Sequence, residues 1–232
     1  MTPIVISFSI ANLVFSASLF TGMIHSLEGQ LIDNLFSNIL IEPQDDRTYI
    51  TSVDEIVKNV LAIPGVVAVA PHYKTSAQFS FDPEKDNLHV TRRGYQIVGI
   101  DTAVEPDVTK ISQSMLEGRY LEPEDRDSIV IGAEVAGGGK GSFEKISLGG
   151  VNVDDKVRIT YSKGVSREYR VVGIFKTGMD GIDMMTFITR KEYEAVHGVT
   201  DSAHEIMVRL PRLGNEEKII SEIRALGYTK EK

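Results

Sequence analysis

Residues 204–228 read HEIMVRLPRLGNEEKIISEIRALGY. His204 to Leu210 is an apolar run closed by Pro211, the pattern of a strand that a proline ends. Asn215 stands at a helix N-cap position, and Ile219, Ile220, Ile223 and Leu226 recur along one helical face. Gly227 stops that helix, and Tyr228 begins another extended piece. The same order of pieces opens the folded part of the chain. Asn38 to Glu42 (NILIE) is a short strand ended by Pro43, followed by the polar loop Gln44 to Thr48. Ser52 with Glu55 three residues on forms a capping box. Val53, Ile56, Val57, Val60 and Leu61 make the buried face of the helix that follows. Pro64-Gly65 stops it, and Val66 to Ala70 is a second strand. Strand, proline, loop, capped helix, glycine, strand at both ends predicts one α/β layer assembled from the two ends, with the middle inserted.

Moving inward, His72 to Phe81 continues extended, with Tyr73, Phe79 and Phe81 as its large residues. Asp82 to Asn87 is a turn, and Leu88 to Asp101 returns as a long strand. The segment from Glu105 to Gly198 has a different texture. Ser128 to Gly132 (SIVIG) is strand-like and Ala133 to Ala136 a short helical turn, before a Gly-rich stretch, Gly137 to Gly150. Lys156 to Tyr161 alternates, Lys163-Gly164 turns, and Arg167 to Phe175 comes back, which is a hairpin signature. Met185 to Ile188 is a further strand and Lys191 to Val196 a short helix. The expected fold class is α+β: an α/β lobe from residues 38–104 and 199–232, and an inserted β-rich lobe over residues 105–198.

Moving outward, Pro3 to Ile24 (PIVISFSIANLVFSASLFTGMI) holds no Asp, Glu, Lys or Arg. As a helix it would cross roughly 30 Å of hydrocarbon, so membrane lipid is the expected surrounding of residues 3–24. A secretory signal peptide and a buried helix of a soluble domain are the alternatives. The first usually has a basic leading segment, and here no Lys or Arg precedes the run. Phe20, Ile24, Leu27, Leu31, Leu35 and Ile39 continue at spacings of three and four. The expectation over residues 1–37 is a transmembrane helix running on as a stalk. Its packing face would be Leu27, Leu31, Leu35 and Ile39. The abrupt start and the ending Lys230-Glu231-Lys232 suggest a piece of a longer membrane protein.

A net charge of -8 over 232 residues leaves no basic face for phosphates, so no nucleic acid is expected as a partner. With no cysteine, a disulfide scaffold, a thiolate zinc site and a Cys nucleophile are excluded.

Four motifs invite chemistry. Ala136 to Ser142 (AGGGKGS) resembles a phosphate loop, but Glu134 stands at the first glycine and Gly141 replaces the Ser or Thr that holds magnesium. A mobile loop is expected instead. Ser142-Phe143-Glu144-Lys145 and Lys176-Thr177-Gly178 match two elements of penicillin-recognising enzymes, without the third and too close together. Glu122, Glu124, Asp125 and Asp127 cluster around Pro123 without the pattern of a calcium loop. His25, His72, His89, His197 and His204 show no metal-ligand spacing and are expected at the surface or half-buried. No catalytic, cofactor or metal residues are expected.

The order of pieces resembles a known family. After the apolar helix and the strand–helix–strand unit come IVGID (Ile97 to Asp101), Gly118-Arg119-Tyr120-Leu121, IVIGAEVA (Ile129 to Ala136), Val153-Asp154-Asp155-Lys156-Val157 and YRVVGIFKTG (Tyr169 to Gly178). This is similar to the MacB-like periplasmic core domain of ABC transporter permeases, in the group with lipoprotein-releasing permeases and FtsX-type proteins. The Gly137 to Gly150 stretch departs from the family, whose members usually pass more directly from the small helix to the Gly-Asp turn. The resemblance implies a first transmembrane helix, a two-lobed extracytoplasmic domain and no chemistry in that domain. It implies as partners a cytoplasmic ABC ATPase subunit and a second permease copy. The domain would couple ATP-driven motion of the membrane helices to substrate handling. The alternative expectation is a membrane-anchored extracytoplasmic sensor or binding module with no transporter attached.

Overall fold

Strand β3 (Ala68–Phe81), 14 residues long, ties the fold together in the computed structural model. The structure describes residues 12–23, 37–44, 47–86, 88–211 and 214–228. The first part of β3 pairs antiparallel with β11 (Glu205–Arg209), from Ala68 opposite Arg209 to His72 opposite Glu205. Its second part pairs with β4 (Thr91–Ile100), from Tyr73 opposite Gly99 to Phe81 opposite Thr91. The edge that β11 leaves is taken up at Ala77 to Ser80 by β7 (Lys156–Tyr161).

That handover closes a barrel. Strand β4 runs parallel to β9 (Met185–Thr189), which is antiparallel to β6 (Ser128–Gly132). In turn β6 is parallel to β8 (Ser166–Phe175), β8 is antiparallel to β7, and β7 returns to β3. The ring β3-β4-β9-β6-β8-β7 pairs each strand with two neighbours and so removes exposed edges. Alternation fills it. Tyr73, Phe79, Ile97, Ile129, Ile131, Ile159, Tyr169 and Ile188 pack together in one cluster. The intervening Val98, Ile100, Val130, Val172 and Phe187 face the other way and pack with Ile111, Leu121 and Ile182. Helix α6 (Arg190–His197) closes one end, bringing Tyr193 so near β4 that a Cβ on Gly99 would lie 2.8 Å from the Tyr193 Cβ. The short edge strand β5 (Met115–Gly118) ends at Gly118, with φ +72°, where a Cβ would overlap the Val172 carbonyl.

Beyond the handover, β1 (Ile39–Ile41), β11 and the start of β3 form an antiparallel sheet. Helices α2 (Val53–Leu61) and α7 (Glu216–Ala225) contribute Val53, Ile56, Val60, Ile219 and Ile223 to its core, with Val69, Ile206 and Val208. Two-residue strands β2 (Ile50–Thr51) and β10 (Ser202–Ala203) pair beside it. The protein is thus a mixed α/β fold in which β1, α2, β11 and α7 share one cluster. Tyr73, Ala77, Phe79, Phe81, Tyr95 and Ile97 pack in one cluster with side chains of residues 129–196. A 14-residue strand is long enough to serve both cores.

Several local expectations meet corrections. Ser52 sits at φ 56° and makes no side-chain cap bond; the Asp201 carboxylate, 147 residues away, accepts the Asp54 N–H at 2.8 Å. Asn215 also makes no side-chain cap bond. Leu61 and Leu226, expected on buried faces, are 49% and 47% exposed because α2 and α7 each end as the chain turns away. Among the described residues, 12–23 are helical and exposed, and no helix is long and apolar enough to cross a membrane. Leu27, Leu31 and Leu35 lie outside the described residues. Ile39 is in β1, paired with Val208 and buried, so it belongs to the sheet rather than to a helical stripe.

Candidate functional site

Where β3 passes from sheet to barrel, a charged cluster replaces the apolar core. His72 and Lys74 alternate on β3, Glu205 opens β11, and Glu105 starts the short helix α3 (Glu105–Val108) that follows β4. His72 Nε2 lies 2.7 Å from Glu105 Oε2, and Lys74 Nζ lies 2.6 Å from Glu205 Oε2. His72 Nδ1 is 3.6 Å from Glu205 Oε1, too far for a hydrogen bond but close enough for ion pairing. Thr109 donates to the other Glu105 oxygen at 2.8 Å. Burial alone would lower the His72 pKa; Glu105 and then Glu205 outweigh it and raise it to about 9, so the ring is a cation at neutral pH. Burial would raise Glu205, and His72 and Lys74 beside it hold its carboxyl below the usual range. Two cations and two carboxylates, three of them deeply buried, balance one another here.

A second polar bridge lies alongside. Arg190, at the start of α6, donates to Glu194 at 2.8 Å and across to Asp54 of α2 at 2.9 Å, its guanidinium 5.8 Å from the Tyr73 ring centroid. It lines an open cleft with Asp101, Thr102 and Lys191. At the α6 end of the barrel, Glu192 accepts hydrogen bonds from Tyr169 at 2.9 Å and Arg167 at 3.0 Å. The Tyr161 and Tyr169 hydroxyls are 2.9 Å apart. These carboxylates are engaged by cations or hydroxyls, so the arrangement joins elements of the fold.

The sequence motifs resolve into structural roles. The Gly-rich stretch, expected to be mobile, is pinned: buried Glu134 accepts the Ser142 and Phe143 N–H groups, and Glu144 accepts those of Gly138 and Gly139. Thr177 and Gly178 are held by Asp183, and Lys176 donates to the Lys140 carbonyl at 2.8 Å. Asp125 makes a two-point contact with Arg119, while Glu124 pairs with Lys191 at 2.7 Å. His25 lies outside the described residues. His72, expected at the surface or half-buried, is wholly buried because two carboxylates compensate its charge. His89 lies at the exposed β3–β4 turn with Glu84 and Asp86, 2.7 Å from the latter. Sequence reasoning missed the joint because its members lie on three separated segments. The one signal was His72 and Lys74, two apart on one face of an apolar strand.

Comparisons with known proteins agree with this architecture. The family model of the MacB-like periplasmic core domain matches residues 1–226. No curated protein matches the chain. Among solved structures, the extracellular domain of the noncanonical ABC-type transporter YknZ from Gram-positive bacteria is similar at 16% identity and a TM-score of 0.56, covering 81% of this chain and 90% of its own. The periplasmic region of MacB from Actinobacillus actinomycetemcomitans is similar at 12% identity and a TM-score of 0.58, covering 86% and 89%. At these identities the likeness is one of fold.

Proposed function

The chain belongs to the MacB-like periplasmic core domain family, and from that premise we propose that it is the extracytoplasmic part of an ABC transporter permease. Residues 3–24 anchor it in the cell membrane, and the folded part stands on the extracytoplasmic side. It performs no chemistry of its own. It passes motion, driven by a cytoplasmic ATPase subunit and shared with a second permease copy, from the membrane helices to a substrate being handled or exported. The observation that carries this reading is the family match over residues 1–226. Two further features support it. Strand β1 and helix α7, early and late in the described fold, share one core, with Ile39 packed in the same cluster as Ile219 and Ile223. The barrel hangs from that sheet through the continuous strand β3, with charged contacts at the join. We take the fold to comprise two lobes that share β3, which contributes Val69 to one core and Tyr73, Phe79 and Phe81 to the other.

Leu27, Leu31 and Leu35 form the proposed packing face of the stalk. In the intact permease, Leu31→Asp abolishes transport while the ATPase subunit still binds, because a charge on that face leaves it without a packed partner. Asp33→Ala, on the opposite side of such a helix, leaves transport intact. Equal, small effects of the two substitutions on transport would overturn the coupling role. A membrane-anchored module without a transporter would show no associated ATPase.

A further inference from the structure

A histidine other than His72 sits at the edge of the joint, held in the opposite protonation state. His204 precedes β11, and its Nδ1 accepts the Lys74 backbone N–H at 2.9 Å. Lys74 lies on the stretch of β3 that β11 has left and β7 has not yet reached, so its amide finds its partner in that ring nitrogen. An amide N–H can donate only to an unprotonated nitrogen, which fixes His204 as the neutral tautomer with hydrogen on Nε2. The ring is packed 4.5 Å from Tyr49 and 6.2 Å from Tyr193, centroid to centroid.

We propose that His204 is an acid-operated pin, whose protonation expels the Lys74 amide from Nδ1 and loosens the joint between sheet and barrel. Once both ring nitrogens carry hydrogen, the Lys74 N–H and the Nδ1–H point at each other, and the strand must move or take water. The surroundings favour the neutral ring. From β3 come the Lys74 ammonium and the buried His72 cation, and from α6 comes His197, stacked on Tyr193 at 4.0 Å. From β11 comes the Glu205 carboxylate, which Lys74 and His72 already engage; Glu105 of α3 lies behind His72. The faces of Tyr49 and Tyr193 can receive a cation, but they do not restore the amide's acceptor. Burial, and then His197, hold His204 below its ordinary pKa, so it charges only in acid. The ring is partly exposed, so protons reach it without unfolding. The inference stands on this geometry and does not depend on the chain being part of a transporter.

The test is hydrogen exchange of the Lys74 amide in the full 232-residue chain in mild detergent, between pH 7.5 and pH 5, corrected for intrinsic exchange. As His204 takes up a proton on acidification, the wild type loses about tenfold in protection, the worth of one hydrogen bond. His204→Gln, whose amide oxygen can accept the same N–H but does not titrate, shows no pH dependence. His204→Phe, which keeps a ring but no acceptor, is unprotected at both pH values. The nitrogen NMR shift of Nδ1 in the unmutated chain provides a readout that no folding defect can confuse. It should report an unprotonated acceptor at pH 7.5 and lose that character together with the Lys74 protection. Unchanged Lys74 protection in the wild type when Nδ1 has gained its proton, or an Nδ1 that bears hydrogen at pH 7.5, would overturn the proposal.

Discussion

Replacing Glu105 by Gln removes the closest counter-charge of a buried cation while keeping its shape. His72 keeps only Glu205, at 3.6 Å, and breaking a buried ion pair from one side costs about 3–5 kcal/mol. For a chain of this length that corresponds to roughly 6–20 °C in melting temperature. Linkage gives a second handle. The His72 pKa is raised from 6.5 to about 9 on folding, which corresponds to about 3 kcal/mol. Because the folded value is the higher one, this stabilisation is complete below pH 6.5 and is lost as pH rises through 9. Urea unfolding of the wild type followed by circular dichroism should therefore show stability falling between pH 6.5 and 9. Glu105→Gln should be markedly less stable at pH 6.5, with a flatter slope, so that the two curves converge near pH 9. A gap independent of pH, or a wild type that gains stability over this range, would falsify the assignment of a buried His72 cation.

Other substitutions probe other parts of the fold. Asp201→Ala should destabilise by about 1 kcal/mol through loss of the α2 cap, and Ser52→Ala by much less; the reverse order in denaturant midpoints would return the cap to the local residue. Gly118→Ala combines a left-handed φ of +72° with overlap on the Val172 carbonyl, and should cost at least about 1–3 kcal/mol in chemical unfolding. Glu134→Ala should free the Ser142 and Phe143 amides, seen as faster exchange at those two positions with the barrel strands unaffected. Calorimetry with ATP and magnesium should show no saturable heat, since Gly141 offers no hydroxyl for the metal and the neighbouring amides are occupied by Glu134 and Glu144.

What the sequence discloses about this fold is whatever short-range patterning controls. Ser128–Gly132 and Ala133–Ala136 form a strand and a helix at the expected bounds, and the β7–β8 hairpin turns at Lys163-Gly164, because alternation and a glycine decide those locally. Closure of the barrel is set by β7 reaching back to β3 and by the parallel β4–β9 and β6–β8 pairs, contacts that no local period encodes. The helix cap at α2 fails for the same reason: a side chain delivered from Asp201 outcompetes the adjacent serine. The charged joint was hidden too, since Glu105 and Glu205 look like ordinary surface acids until the strands bring them to His72.

The antiparallel pairing of β1 with β11 also sets a schedule for biosynthesis. Ile41 lies opposite Ile206, 206 − 41 = 165 residues later. At about 5–20 residues per second the ribosome needs roughly 8–33 s to make that interval, far longer than local hairpins take to form. Throughout it β1 has no partner strand, and the Ala68 to His72 edge of β3 waits for β11 with its amides unpaired. The barrel strands are all made before residue 190, so they can close while the sheet beside them is still a bare edge. A chain truncated and released in the loop after α6 would carry every barrel strand beside a β3 edge open to strand addition, a state exposed to aggregation.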